Sequence, residues 1–278
     1  MAAYVQDSIM LFGDSITQGG WDEGGFGAKM THVYARKLDV LNRGLSGYNT
    51  DWAMPLFEKV RHGCNLCLDL MDDDFRTGLA ADMYLSQFLA TQEQQKTTPK
   101  VRLLVIWFGA NDACIKPSPQ HVPITKFISN LKRMVNMVQS PRSEYYSAET
   151  RIILVTPPPV NEYQRKEDLE SRTPPKELDR LFDTTKEYAE AVKDVAREEE
   201  VAVVDIWTGL WDAAGREQQQ LSRYLNDGLH LNAAGYGIMY EKLIETIGRI
   251  YPELHPDSLK YVFPRWDEIP GVTLGLLP

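Results

Sequence analysis

Ser8-Ile9-Met10-Leu11-Phe12-Gly13-Asp14-Ser15-Ile16-Thr17 runs four apolar residues into a tight Gly-Asp-Ser turn. A short apolar run bounded by turn residues reads as a central strand of a parallel sheet. In open parallel sheets, ligands sit outside the carboxyl ends of the strands. Ser15 therefore stands where a nucleophile would stand. Taken alone, the tripeptide is equally an ordinary strand-ending turn, and function has to be read from what surrounds it.

Outward from this stretch the chain alternates strand and helix patterns. Gly19-Gly20-Trp21 and Gly24-Gly25-Phe26-Gly27 read as a flexible loop above the sheet, with Trp21 and Phe26 able to wall a pocket. The run fits neither a dinucleotide fingerprint nor a phosphate loop. Helical spacing follows from Ala28 to Leu38, then a short strand at Val40-Leu41-Asn42. Gly44 and Gly47 in the next turn permit close approach of backbone N–H groups to a ligand. Asp51 suits the N-cap of a helix over Trp52 to Val60. Residues 62–100 read as a surface appendage, because the preceding helix returns the chain to the far end of the sheet.

Val101 to Phe108 is the strongest strand pattern and stops at Gly109-Ala110-Asn111-Asp112. A helix over Ile124 to Val138 leads to a strand at Arg151 to Thr156, closed by Pro157-Pro158-Pro159. The apolar spacing of Leu178, Leu181, Phe182, Thr185, Tyr188, Val192 and Val195 predicts a long helix from Pro175 to Glu200. Val201 to Ile206 is the last strand, and Ala233 to Ile250 the closing helix. This order predicts a parallel α/β/α sandwich over 1–251, followed by a Pro-rich tail over 252–278.

Composition excludes several classes. Net charge is -9, from 30 basic and 39 acidic residues, with no concentrated basic face, which argues against nucleic acid. No apolar run is long enough for a membrane span. The first residues lack the basic region and apolar core of a signal peptide, so a cytoplasmic protein is expected. The cysteines are Cys64, Cys67 and Cys114, an odd number that suits reduced thiols. Cys64 and Cys67 have metal-like spacing but no second pair, and read as ordinary thiols. The tail apolars Tyr261, Val262, Phe263, Trp266, Ile269, Leu274, Leu276 and Leu277 would serve either a homodimer or packing on the domain itself.

Four polar turns thus fall on one rim: Ser15, Gly47, Asn111 and the Asp227/His230 pair. Acyl transfer needs these parts. A serine hydroxyl is a poor nucleophile until an imidazole takes its proton, and the imidazole needs a carboxylate to fix its tautomer. The oxyanion needs N–H donors. Asp227 and His230, three apart in one turn, can face the same side. Each also has a bland alternative: Asn226 or Asp227 capping the last helix, His230 packing under it, Asn111 forming a turn and Gly47 serving only as a loop glycine. On the functional reading Asn111 faces the pocket without core contact, so its loss should leave stability unchanged.

In order and spacing, Gly13-Asp14-Ser15, Gly47, Gly109-Ala110-Asn111-Asp112 and Asp227-Gly228-Leu229-His230 resemble the four blocks of the GDSL, or SGNH, hydrolases. Asn42-Arg43-Gly44 and Thr156-Pro157-Pro158-Pro159 are most similar to the isoamyl acetate-hydrolysing esterase branch. The resemblance implies a flavodoxin-like three-layer sandwich on a five-stranded parallel sheet. It implies hydrolysis of short-chain esters with no metal or cofactor. It makes Ser15 the nucleophile, His230 the base and Asp227 the orienter. The oxyanion hole would be the N–H groups of Ser15 and Gly47 with the Asn111 amide, and Trp21, Leu45 and Pro158 would contact substrate. Against that branch 62–100 reads as an insertion. Sugar acetates, acyl thioesters, transfer to an alcohol and a non-catalytic binding module are the alternative readings.

Overall fold

A computed structural model describes residues 6–57 and 88–269. The appendage expected over 62–100 falls mostly on 58–87, outside the described residues, as do Cys64, Cys67, Leu274, Leu276 and Leu277. Five strands, β1 (Ser8–Gly13), β2 (Asp39–Gly44), β3 (Val101–Trp107), β4 (Arg151–Val155) and β5 (Ala202–Val204), form one parallel sheet in the order β2-β1-β3-β4-β5. This is the flavodoxin-like order, with its switch point between β1 and β3.

Strand alternation divides the core into two layers. Ile9 and Leu11 of β1, with Leu103, Val105 and Trp107 of β3, face one side. Met10 and Phe12, with Leu104 and Ile106, face the other. The first layer is covered by α2 (Phe26–Val33), α7 (Ile206–Ala213) and α8 (Ala233–Ile250). The second is covered by α3 (Thr50–Phe57), α4 (Ile124–Gln139) and α6 (Phe182–Glu198). Two short helices complete the rim: α1 (Ser15–Gln18), directly after β1, and α5 (Glu162–Ser171), after β4.

Register makes the carboxyl ends of the central strands flush. Gly13 is paired with Gly44 on one side and with Trp107 on the other. Ser15, Gly47 and Asn111 therefore leave the sheet within two to four residues of one line.

Three local expectations are corrected. The glycine-rich stretch that follows α1 begins with a 3-10 turn over Gly19–Trp21, and Phe26 opens α2 as a fully buried core residue. Its ring meets Trp107 edge-on at 5.5 Å and stacks on Tyr236 at 5.8 Å, so it does not wall a pocket. Second, α3 is capped by Asn49, whose Oδ1 accepts from Trp52 N at 2.8 Å. Asp51 instead pairs with Lys126 at 2.6 Å. Third, the helix expected from Pro175 starts only at Phe182, because Asp179 and Arg180 turn inward to buried partners. In addition, α5 is a polar helix that apolar spacing does not mark. Only Arg165 and Leu169 of it are buried.

The tail begins inside the fold. Leu254 is buried in the first core layer, and its carbonyl accepts from Tyr34 Oη at 2.8 Å. Beyond it the chain follows the end of α2. Val262 N donates to Arg36 O, and the Arg36 guanidinium donates to Phe263 O and Pro264 O while lying 4.6 Å over the Tyr261 ring. Trp266 remains 81% exposed.

Asp112 marks a cost inside this fold. It is fully buried, and its Oδ1 accepts from Thr50 N and Thr50 Oγ1. Burial pushes its pKa up to about 7, against the Thr50 hydrogen bonds. A carboxyl whose folded value is raised gives stability that is complete below the unfolded value of about 4 and lost as pH rises through the folded one. Melting temperatures of the wild type and Asp112→Asn between about pH 5 and about pH 8 test this. The wild type should lose ground to the variant across that window. Parallel curves would contradict a raised Asp112.

Candidate active site

The Ser15 hydroxyl lies 2.9 Å from His230 Nε2, and His230 Nδ1 lies 2.9 Å from Asp227 Oδ2. Ser15 is delivered by the sharp exit from β1. Asp14 caps α1 by accepting from Ile16 N at 2.9 Å, and Tyr236 Oη of α8 holds the Ile16 carbonyl at 2.7 Å. Asp14 is buried, and loss of solvation lifts its pKa to about 6.

The Asp227/His230 turn is closed by Asn226 N donating to His230 O and by a bridge between Leu225 and Leu231. Asp227 divides its oxygens. Oδ1 accepts from the backbone N–H groups of Leu229 and His230, as a turn-forming aspartate does, while Oδ2 faces the imidazole. One carboxylate thus both closes its own turn and orients the imidazole. The cap of α8 falls to Asn232, whose Oδ1 accepts from Ala234 N and Gly235 N, which leaves Asp227 available to His230. Burial would raise the Asp227 pKa, but the His230 hydrogen bond and the charges of His230 and Arg165 hold it well below the carboxylate range.

Gly47 adopts φ +81°, where a side chain would be strained, and its carbonyl accepts from Gln120 Nε2 at 2.8 Å. Asn111 is 3% exposed. Its Oδ1 accepts from Arg180 Nη2 at 2.6 Å and Gln120 Nε2 at 3.3 Å, and its Nδ2 donates to Tyr48 O at 2.8 Å. Arginine can only donate, so these partners fix which end of the amide is oxygen. One Nδ2 hydrogen is spent on Tyr48, and one remains for a ligand. The expectation that Asn111 holds no internal contact is therefore wrong. It is a bonded, buried residue, held by Arg180, Gln120 and Tyr48.

Of the residues expected to contact substrate, Trp21 is 40% exposed and lies against the backbone of Gly27. Leu45 is half-buried, with its N–H on Gly13 O, and Pro158 is buried. Among the described residues no helix is long and apolar enough to cross a membrane, and no three His, Cys, Asp or Glu side chains converge as a metal site. A cavity of about 540 Å³ at the opposite, amino-terminal ends of the strands, lined by Ser8, Asp39 and Val101, contains none of the residues above.

Sequence reasoning passed over Arg165, Asp179, Arg180 and Gln120. Arg165 and Arg180 are 5% and 3% exposed at the side chain. Arg165 Nη1 donates to Asp227 Oδ2 at 2.8 Å, while its Nε and Nη2 grip both oxygens of Asp179 at 3.0 and 2.9 Å. Gly228, at φ +81°, sits so close to α5 that a Cβ would lie 2.5 Å from Arg165 N. That contact brings the arginine under the turn.

The GDSL-like Lipase/Acylhydrolase family model matches residues 11–238. The isoamyl acetate-hydrolyzing esterase 1 homolog of Bos taurus is 33% identical over 264 residues, covering 94% of this chain and 87% of its own. The isoamyl acetate-hydrolyzing esterase of Saccharomyces cerevisiae is 29% identical over 278 residues, covering 95% of each chain. Among solved structures, a lipase/acylhydrolase from Enterococcus faecalis superposes with TM-score 0.55 at 21% identity over 92% of this chain and 98% of its own. An acetylxylan esterase from Geobacillus stearothermophilus gives 0.55 at 17% identity, over 95% of this chain and all of its own. At these identities the two structures speak for the fold.

Proposed function

This chain belongs to the GDSL-like lipase/acylhydrolase family, and from that premise we propose that it is a serine esterase of small, short-acyl esters, acetates of short alcohols foremost. The observation that carries the reading is the unbroken line Ser15 Oγ, His230, Asp227, with both contacts at 2.9 Å. His230 Nε2 takes the hydroxyl proton as Ser15 Oγ attacks the acyl carbonyl, and Asp227 stabilises the imidazolium that forms. The developing oxyanion is met by the N–H groups of Ser15 and Gly47 and the remaining Nδ2 hydrogen of Asn111. Collapse expels the alcohol with the proton from His230. Water, activated by the same imidazole, then releases the acid. A cytoplasmic setting suits the free, buried thiol of Cys114.

Trp21, Leu45 and the Pro157-Pro158-Pro159 loop act in this proposal as walls that limit acyl length. Each methylene accepted or refused changes discrimination by about 1–3 kcal/mol. A series of p-nitrophenyl esters from acetate to palmitate, with acetylated xylose alongside, tests the substrate class. Turnover should be fastest with the shortest acyl groups and fall steadily with length. Palmitate turned over faster than acetate, or preference for the sugar acetate, would overturn the assignment.

A further inference from the structure

Asp227 and Asn111, far apart in sequence, are joined by a continuous, part-buried chain of hydrogen bonds through two arginines and one aspartate. From Asp227 Oδ2 it passes to Arg165, from Arg165 to both oxygens of Asp179, and from Asp179 Oδ2 to Arg180 Nη1. Arg180 then donates through Nε to Ala110 O at 2.8 Å and through Nη2 to Asn111 Oδ1 at 2.6 Å. Two guanidiniums and two carboxylates balance in charge. Desolvation opposes the charged state of Asp179, but the two arginines hold it below the carboxylate range.

We propose that Arg165, Asp179 and Arg180 are positioning residues that set the triad carboxylate and the oxyanion amide against one another as one unit. This rests on the esterase reading above. A buried ion network by itself is weak evidence for stability, since desolvation offsets much of the attraction. What singles this one out is its two ends. Each terminates on the one atom whose placement the chemistry needs: Asp227 Oδ2, which faces the imidazole, and Asn111 Oδ1, which dictates where the amide hydrogens point. Guanidinium forks are planar and rigid, so a bidentate grip on Asp179 transmits orientation as well as charge.

The electrostatic consequence is specific. The imidazole of His230 is faced by Asp227 in its own turn and shares charge coupling with Asp14 at the cap of α1, while Arg165 of α5 pairs with the same Asp227 oxygen. Asp168 of α5 lies 3.6 Å from Arg165, and Arg172 lies 3.9 Å from Asp227. Arg165 opposes positive charge on the imidazole, whereas Asp179 tempers Arg165. Removing either should move the acid limb of kcat/KM, and in opposite directions.

The test measures kcat, KM and the pH profile of kcat/KM with p-nitrophenyl acetate. The variants are Arg165→Gln, Arg165→Lys, Asp179→Asn, Asn111→Ala and the double variant Arg165→Gln/Asn111→Ala, with Ser15→Ala as control. We expect kcat to fall roughly 10- to 100-fold in Arg165→Gln and Asp179→Asn with KM little changed, the cost of a displaced catalytic group. The acid limb should move to higher pH in Arg165→Gln and to lower pH in Asp179→Asn. Arg165→Lys should restore part of kcat and the wild-type limb, because it keeps the charge and loses the fork. The double variant should lose less than the product of its single losses. Should Arg165→Gln fail to fold, Arg165→Lys and Asp179→Asn carry the test. Strictly multiplicative losses, or acid limbs superimposed on wild type in folded variants, would overturn the proposal. Activity surviving in Ser15→Ala would instead overturn the esterase reading, so the two failures are distinguishable.

Discussion

Replacement of Ser15 by alanine is expected to abolish ester hydrolysis, with kcat reduced by roughly 10⁵-fold or more and the fold intact. The hydroxyl makes its hydrogen bond to His230 Nε2, and the backbone around it is held independently by Asp14 and Tyr236. Losing the hydroxyl therefore removes the attacking atom without releasing α1. Among the described residues, Ser15 is the serine whose hydroxyl meets His230 Nε2. Ser46, the nearest serine in sequence on the same rim, lies beyond β2, and its backbone N–H is tied to Gln18 Oε1 at 2.9 Å. Steady-state hydrolysis of p-nitrophenyl acetate, with the melting temperature as the folding control, measures the effect. Substantial residual turnover would contradict the assignment of Ser15.

The second large effect is expected at Asn111. If its free Nδ2 hydrogen meets the oxyanion, the bond matters more in the transition state than with bound substrate. Asn111→Ala should then lower kcat by roughly 10²–10³, about 3–4 kcal/mol, with little change in KM. The buried partners add a stability cost that a pocket-facing residue would not show. Alanine removes the acceptor of the buried Arg180 Nη2, and an unsatisfied buried polar group costs about 1–3 kcal/mol. Asn111→Asp separates the two effects. Aspartate keeps an acceptor for Arg180, but it has no N–H for Tyr48 or the oxyanion, and it sets negative charge where negative charge must form. Its kcat should fall at least as far as that of alanine. Near-normal kcat in Asn111→Asp would remove Asn111 from the oxyanion hole.

What the sequence made legible follows from where each residue sits. Ser15, Gly47 and Asn111 each come a few residues after an apolar strand, so strand periodicity alone brings them to one rim. Asp227 and His230 share one turn, and their spacing is local. Arg165 and Arg180 had no such signal. Arg165 lies in Glu162–Ser171, a polar helix without apolar rhythm, and it is buried only because Asp227 and Asp179 receive it. Arg180 sits where the apolar spacing around Leu178 and Leu181 reads as helix. Tertiary ion pairing overrides that pattern and delays the helix to Phe182. Phe26 was hidden for the opposite reason. Its glycine neighbours read as loop, yet they are what lets α2 begin tightly against Trp21 and Trp107. Charged residues buried by partners distant in sequence leave no periodic trace, and a single chain read alone does not betray them.

Everything proposed for this site turns on Ser15 being the nucleophile, activated by His230 and Asp227. Covalent labelling by a fluorophosphonate, followed by mass-spectrometric mapping of the modified peptide, tests it most directly, because the reagent reacts with an activated serine and marks the atom that attacks. A single adduct on Ser15 is expected, formed rapidly in the wild type and lost in His230→Ala. An adduct on Ser46 or any other residue, or an active enzyme that takes no label, would contradict it.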